Sequence, residues 1–269
     1  MALIEHDLFR GRIDRVQMVI DRLKMFEPPE GYYLAYSGGK DSDTILALAK
    51  MSGVKFDAHF QRSMEPPEVI YHVRKHPEVQ MHLPEMTMWQ LIRHKHMPPT
   101  RLARFCCQYM KERGGSGRVV LTGVRWEEST KRSKRTMTDV CYQDPTKRYF
   151  HPIIDWTSED VWEFLKGYGI PYCKLYDEGF DRIGCVLCPY SKPREKVRDM
   201  ARFPRIVEAY RRAIIRGWEA REVAIKNGTF KNHNAEQYFT SGEDQFNWWI
   251  SGRSTKEWAE KDTSFWAYE

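Results

Sequence analysis

Ser37-Gly38-Gly39-Lys40-Asp41-Ser42 carries the densest chemistry in this chain. The segment lies between an apolar run, Tyr32-Tyr33-Leu34-Ala35-Tyr36, and a second apolar run that follows Asp43 and ends near Gly53. That order predicts a strand, a tight turn and a helix, with the turn at the helix N-terminus. Unsatisfied backbone N–H groups and the helix dipole favour an anion there. Gly38 and Gly39 reach backbone angles closed to other residues and let a phosphate approach the main chain. Lys40 offers phosphate oxygens a point charge, and Asp41 or Asp43 offers the carboxylate oxygen that Mg²⁺ prefers beside phosphates. The loop is too short for a Walker A motif. The competing reading is an ordinary glycine turn between strand and helix.

The second feature is a cysteine pattern. Four of the six cysteines fall into two close pairs, Cys106-Cys107 and Cys185-Val186-Leu187-Cys188. A Cys-x-x-Cys pair alone is shared by zinc sites, redox thiols and clusters. Adjacent cysteines do not easily chelate one tetrahedral zinc, yet each can bind a different iron of a cubane. All-cysteine ligation is what a [4Fe–4S] cluster requires. A four-cysteine zinc site and a set of unrelated buried thiols remain the alternatives. Cys141 and Cys173 lack such spacing, and Cys173 reads as core.

The surrounding pattern shows which elements must position these groups. Ile13, Val16, Ile20 and Leu23 recur at helical spacing and predict a helix within residues 1–30, stopped by Pro28-Pro29. Strands are predicted at 32–36, 55–60, 79–83 and 118–123. Helices are predicted after Ser37, after Pro66-Pro67 and at 88–96, where Thr87 is the N-cap. Thr157-Ser158-Glu159-Asp160 reads as a capping box whose helix buries Val161, Phe164 and Leu165 and stops at Gly169 and Pro171. Strands alternating with helices predict an α/β fold with a mainly parallel, doubly wound sheet. Ligands of such sheets bind beyond the carboxyl ends of strands, where Ser37 to Ser42 would lie. Residues 1–195 form the expected nucleotide-binding domain with the cysteine site. Residues 196–269 form a helical, basic and aromatic-rich C-terminal region, interrupted near Pro204. Trp248, Trp249, Trp258 and Trp266 make that tail too aromatic for a disordered extension, so it should pack on the body or a partner.

The SGGKDS segment resembles the PP-loop of the adenine-nucleotide alpha-hydrolase superfamily, which cleaves ATP between its alpha and beta phosphates. With the cysteine quartet, the resemblance extends to the phosphoadenosine phosphosulfate (PAPS) reductase family and its iron–sulfur, adenylylsulfate reductase-like branch. Further matching stretches are Pro98-Pro99-Thr100-Arg101, Thr122-Gly123-Val124-Arg125, Glu128-Ser129, Pro152-Ile153-Ile154-Asp155-Trp156 and Asp160-Val161-Trp162. The resemblance implies nucleotide contacts from Ser37, Gly38, Gly39, Lys40, Asp41, Ser42, Gly123, Arg125, Glu128 and Ser129. Lys40, Asp41 and Arg125 would take the catalytic roles, and Arg132 and Arg135 would extend the basic wall. It also implies a [4Fe–4S] cluster on Cys106, Cys107, Cys185 and Cys188. Two departures stand out. No cysteine follows Cys188, whereas thiol-dependent sulfonucleotide reductases carry a C-terminal nucleophilic cysteine. The loop is a full SGGKDS, closer to the ATP-cleaving members. Both favour ATP-dependent adenylation with sulfur transfer or reduction. The alternatives are a sulfonucleotide reductase that uses Cys141, Cys173 or a partner's thiol, and a non-catalytic nucleotide-sensing or nucleic-acid-binding module.

Composition bounds the partners. The chain is 41% hydrophobic and 30% charged, ordinary for a globular protein, and its first residues lack a signal peptide's apolar run. No stretch is apolar enough to span a bilayer, so a cytoplasmic protein with thiols rather than disulfides is expected. The net charge of +6 gathers in residues 125–135 and 192–221. Such stretches suit a polyanion, either the nucleotide itself or a tRNA or DNA acceptor. The second stretch equally fits the solvated face of a helix. A thiol or electron-donor protein is the further partner expected for a reductase.

Overall fold

The computed structural model describes residues 3–7, 11–231 and 234–260. Along the chain lie β1 (Ile4–Asp7), β2 (Gly11–Asp14), α1 (Arg15–Met25), β3 (Tyr32–Tyr36), α2 (Lys40–Ser52) and β4 (Phe56–Gln61). Next come α3 (Pro67–Val73), β5 (Val79–His82), α4 (Met88–Lys95), α5 (Phe105–Met110), β6 (Val119–Leu121), β7 (Thr138–Val140), β8 (Arg148–Phe150) and α6 (Ser158–Gly167). The final helices are α7 (Pro193–Arg202), α8 (Pro204–Lys226), α9 (Gly242–Ser251) and α10 (Thr255–Ala259). Two compact units result. One comprises Met1–Leu83 with Arg113–Gly184, the other Pro84–Glu112 with Cys185–Glu269.

The first unit holds a six-stranded sheet in the order β5-β4-β3-β6-β8-β7. Every neighbouring pair is parallel except the edge pair β7–β8. Strand order reverses around β3: the chain steps outward through β4 and β5, then returns to β6 on the other side of β3. The turns after β3 and β6 therefore share the crevice where doubly wound sheets bind ligands. Tyr32, Leu34, Ile45, Leu48, Phe60 and Leu121, from β3, α2, β4 and β6, are almost wholly buried. Each contributes about 1.5–3 kcal/mol of burial, and together they hold β3, α2 and β6 as one scaffold. The predicted helix within residues 1–30 is shorter than its pattern. Residues 4–7 pair antiparallel with residues 11–14 as β1 and β2, and Ile13 lies on β2. The helix starts only where the Asp14 carboxylate accepts the Val16 and Gln17 N–H groups. The strands β7 and β8 escaped the sequence pattern because each has three residues and Phe150 is the one buried position.

In the second unit, α4 packs on α8, and α8 on α9. The helix interfaces are close. A Cβ on Gly217 would lie 3.3 Å from the Ile92 carbonyl oxygen, and one on Gly242 2.7 Å from the Ile215 Cα. Pro204 does interrupt the basic helical stretch, since α7 ends at Arg202 and α8 begins at Pro204. The aromatic tail packs inward. Trp218, Phe239 and Trp258 form a cluster with Trp248 against it, and the Trp249 indole N–H donates to the Pro99 carbonyl at 2.7 Å. Trp266 lies outside the described residues. The compact units differ from the contiguous division at residue 195. Met88, Leu91 and Ile92 of α4 are buried, so the 84–112 segment shares its apolar core with the C-terminal helices.

Candidate functional site

The loop after β3 is built as its sequence predicts. Gly38 has φ +72°, and a Cβ there would lie 2.8 Å from Val69 Cγ1 on α3, so only glycine fits. Gly39 departs from the expectation: it caps α2 in an extended conformation that any residue adopts, so the special backbone angle belongs to Gly38 alone. The loop donors are satisfied internally. The Gly39 N–H donates to Ser42 Oγ at 3.1 Å, and the Lys40 N–H to the Tyr176 hydroxyl at 3.0 Å. These two hydroxyls occupy the places at the helix N-terminus where an anion's oxygens would accept. Tyr176 was not legible as a site residue in the sequence. Its position depends on edge-on packing with Trp162, at 5.1 Å between ring centroids.

Two cations converge on one carboxylate. The Lys40 Nζ lies 3.0 Å from both Asp41 oxygens, and the Arg125 Nε donates to Asp41 Oδ1 at 2.8 Å. Lys40 is 6% exposed and Arg125 3%. Charges so deeply buried need a counter-charge, and Asp41 supplies it. Arg125 also bonds Glu127 at 3.0 Å and the Trp156 carbonyl at 3.3 Å. The approach depends on Gly123, where a Cβ would lie 2.8 Å from the Asp41 backbone oxygen and Cβ. Glu128 folds back onto the Arg125 N–H at 2.9 Å. Ser129 is exposed and accepts from the Arg132 N–H through Oγ at 3.2 Å. Part of the expected basic wall is already compensated: Arg132 pairs with Glu128, and Arg135 lies 3.7 Å from Asp139. Lys131 and Lys134 are exposed.

Asp43 differs from the expectation of a carboxylate beside the phosphates. Residues two apart on a helix point about 200° from each other, so Asp43 faces the core while Asp41 faces the crevice. Asp43 Oδ1 accepts from the Tyr36 hydroxyl at 2.5 Å and lies 2.9 Å from His72 Nε2. Burial pushes the Tyr36 hydroxyl well above its ordinary range, with the Asp43 charge adding to it. The sequence signal for this cluster was the His72-x-x-x-His76 spacing.

In the second unit, the first turn of α5 carries Cys106 and Cys107, and the loop before α7 carries Cys185 and Cys188. Charges at Cys107, Cys185 and Cys188 all act to raise the Cys106 thiol. A hydrogen bond to Cys107, then burial, pushes the Cys106 thiol up. Cys107 is pulled down by the same hydrogen bond and by Arg104. Arg101 ties the two segments together, donating through Nε to the Pro189 carbonyl at 2.9 Å while its own carbonyl accepts from the Tyr190 hydroxyl at 3.0 Å. Leu187 holds the loop at φ +55°, and its N–H donates to Asp199 Oδ2 at 2.9 Å. The two remaining thiols lie elsewhere. Cys141 is half-buried and bonded to the Tyr149 hydroxyl at 3.7 Å. Cys173 is 1% exposed, and burial pushes its thiol up. Among the described residues no helix is long and apolar enough to cross a membrane.

Residues 31–191 match the family model of the phosphoadenosine phosphosulfate reductase domain. The chain is 34% identical over 159 residues to an adenosine 5′-phosphosulfate reductase of Oceanobacillus iheyensis, covering 54% of this chain and 64% of that protein. It is 28% identical over 229 residues to an uncharacterized protein of Methanocaldococcus jannaschii, covering 78% of this chain and 44% of that one. A probable FAD synthase of Caenorhabditis elegans is 27% identical, covering 65% of this chain and 33% of that protein. The chain thus spans less than two thirds of the length of each of these relatives. Among solved structures, the PAPS reductase of Candida auris in a phosphate complex superposes with a TM-score of 0.49 at 17% identity, over 63% of this chain and 87% of that one. Since the family model covers more than half of the sequence, the chain belongs to the phosphoadenosine phosphosulfate reductase domain family.

Proposed function

We propose that this protein is an ATP-using enzyme that forms an adenylated intermediate with release of pyrophosphate and couples it to sulfur transfer or reduction. The observation that carries the reading is the convergence of buried Lys40 and Arg125 on the single carboxylate of Asp41 at a glycine-rich helix N-terminus. A polyphosphate entering the crevice takes over the Gly39 and Lys40 N–H groups from the Ser42 and Tyr176 hydroxyls. It also takes Lys40 and Arg125 from Asp41. The released Asp41 carboxylate is then free for the Mg²⁺ that accompanies a nucleoside triphosphate. When an acceptor oxygen attacks the alpha phosphorus, the bond to the beta-bridging oxygen breaks and charge grows on the departing pyrophosphate. On this reading Lys40, Arg125 and the loop amides stabilise that charge, an effect worth about 2.7–4 kcal/mol per donor at an oxyanion site.

The donor set of the second unit fits a [4Fe–4S] cluster held by Cys106, Cys107, Cys185 and Cys188. The four thiols stand on two segments that Arg101 ties together, with Arg104 and Lys111 acting on Cys107 and Lys196 feeling Cys188, cations that suit a cluster with negatively charged ligands. Such a cluster supplies electron-transfer or sulfur chemistry when bound. Arg101 and Asp199 hold the two cysteine-bearing segments in place. A sulfonucleotide as ligand is the second reading, supported by the 34% identity to an adenosine 5′-phosphosulfate reductase. Of its two candidate thiols, Cys173 is buried and pushed up, the wrong direction for a nucleophile, whereas hydrogen bonds from the Tyr149 hydroxyl and backbone pull Cys141 down and leave it as the candidate.

The test is anaerobic incubation of the purified protein with ATP, adenylylsulfate or its 3′-phosphorylated form, measuring AMP, pyrophosphate and sulfite. AMP and pyrophosphate from ATP are expected. Sulfite from a sulfonucleotide would replace this reading with the second, and nucleotide binding without any product would leave a sensing module.

A further inference from the structure

Behind the nucleotide loop, three side chains from two helices meet in the core of the first unit. Asp43 stands in the first turn of α2, His72 at the end of α3, and His76 four residues later. Their ligand atoms all lie within 4.8 Å of one another, and they are the group of this kind among the described residues. The chain keeps turning after α3, through Lys75 N–H to His72 carbonyl and His76 N–H to Val73 carbonyl bonds, each 3.0 Å. The second imidazole therefore stays over the first, with 5.1 Å between ring centroids. Two of the polar atoms in this group are buried without a hydrogen-bond partner: Asp43 Oδ2 and His76 Nε2. The Asp43 side chain is wholly buried. An orphaned carboxylate oxygen in such a place is destabilising, and an orphaned imidazole nitrogen beside it is hard to explain as packing alone. The other nitrogen of His76, Nδ1, lies 3.7 Å from the Glu78 carboxylate. Glu78 in turn pairs with Lys50, so its carboxylate is a charged neighbour of that nitrogen and not its hydrogen-bond acceptor.

We propose that Asp43, His72 and His76 form a binding site for a divalent transition-metal ion of the zinc type. Two imidazoles and one carboxylate match the ligand preferences of such ions, whereas Mg²⁺ and Ca²⁺ favour all-oxygen sites. The ion satisfies both orphaned atoms and replaces the hydrogen bond between His72 and Asp43. Its role is mechanical. Asp43 belongs to the helix that carries the SGGKDS loop, and His72 shares α3 with Val69 and Val73, the residues against Gly38. The ion ties α2 to α3 around that loop, independently of which nucleotide the loop takes and of what the cysteines hold.

The test uses the full chain, purified anaerobically with its iron and zinc counted, then titrated with Co²⁺ and Zn²⁺. We expect one equivalent of Co²⁺ to give visible d–d bands without sulfur-to-cobalt charge transfer, and Zn²⁺ to displace it. Zn²⁺ should raise the melting temperature while Mg²⁺ does not. His76→Gln, at the half-buried edge of the cluster, should weaken Co²⁺ binding at least tenfold and abolish the zinc-dependent shift. Anomalous diffraction at the zinc edge from wild-type crystals gives an answer that no variant's folding can obscure: a peak between Asp43 and the two histidines supports the site. A wild-type protein with no such peak and no non-thiolate cobalt bands would overturn it. So would a folded His76→Gln protein that binds Co²⁺ as tightly as wild type, which would leave an ordinary histidine–carboxylate pair.

Discussion

Gly123→Ala tests the claim that β6 must approach α2 closely for Arg125 to reach Asp41. The added methyl would sit 2.8 Å from both Asp41 Cβ and Asp41 O, and 2.9 Å from Asp41 C. Two of those three atoms are backbone in the first turn of a buried helix, so no side-chain rotation relieves the clash. Overpacking of this kind costs about 1–3 kcal/mol. At about 2–4 °C per kcal/mol for a unit of this size, the melting temperature should fall by roughly 2–12 °C. The strain also separates Arg125 from Asp41, now 2.8 Å apart. Losing one charge-assisted contact to the nucleotide costs about 1.5–3 kcal/mol, so ATP affinity should fall at least tenfold. Gly167→Ala is the matched control. It makes the same chemical change at the last position of α6, where a Cβ meets nothing within 4 Å, and should be neutral or stabilise by up to about 1 kcal/mol. Thermal melts by circular dichroism and ATP titration calorimetry on both variants read the outcome. If Gly123→Ala melts and binds ATP like wild type, the close approach does not position Arg125 and the reasoning fails.

Lys40→Ala should weaken ATP binding while Arg125→Ala reduces turnover at least as much as binding; equal ATP affinity in folded Lys40→Ala protein, measured by calorimetry, would remove the loop from the nucleotide site. Serine at Cys106, Cys107, Cys185 or Cys188 should lower the iron and sulfide content, about four of each per chain for one cubane, while Cys141→Ser leaves it intact; stoichiometric zinc without iron or sulfide in anaerobic wild type would contradict the cluster. Burial holds His151 and His96 below the ordinary histidine value of 6.5. The unfolded chain then binds more protons below about pH 6.5, so stability is full above that pH and falls as pH drops towards the depressed values; a melting temperature flat from pH 7.5 to 5 would be inconsistent with this. If the acceptor is a nucleic acid, reversing the charge of exposed Lys131 and Lys134 should weaken tRNA or DNA binding about equally across sequences, with a steep salt dependence; fluorescence anisotropy showing no binding at low salt would point to a small acceptor.

The loop was legible from local residues alone. The Tyr32–Tyr36 strand, the glycine turn and the helix ending at Gly53 are local features, fixed by backbone preferences and apolar spacing within some twenty residues, and they formed as read. Arg125 could be nominated from its motif, but only the parallel sheet decided its partner. The β3–β6 pairing brings residues 84 apart in sequence to 2.8 Å, and a single missing methyl at Gly123 permits it. The β1–β2 pairing of residues 4–7 with 11–14 was hidden because three-to-four-residue strands carry too little periodicity to outweigh a neighbouring helical pattern, and the same applies to β7 and β8. Asp43 shows the limit most clearly. Beside Asp41 in the sequence it looked equally available to phosphate-bound Mg²⁺. The turn of α2 sent it instead into the core, against Tyr36, His72 and His76, because side chains two apart on a helix face opposite ways. Which aspartate meets the crevice and which meets the histidines depends on the rotation of α2 about its axis, which is fixed by packing with residues distant in sequence, His72 among them.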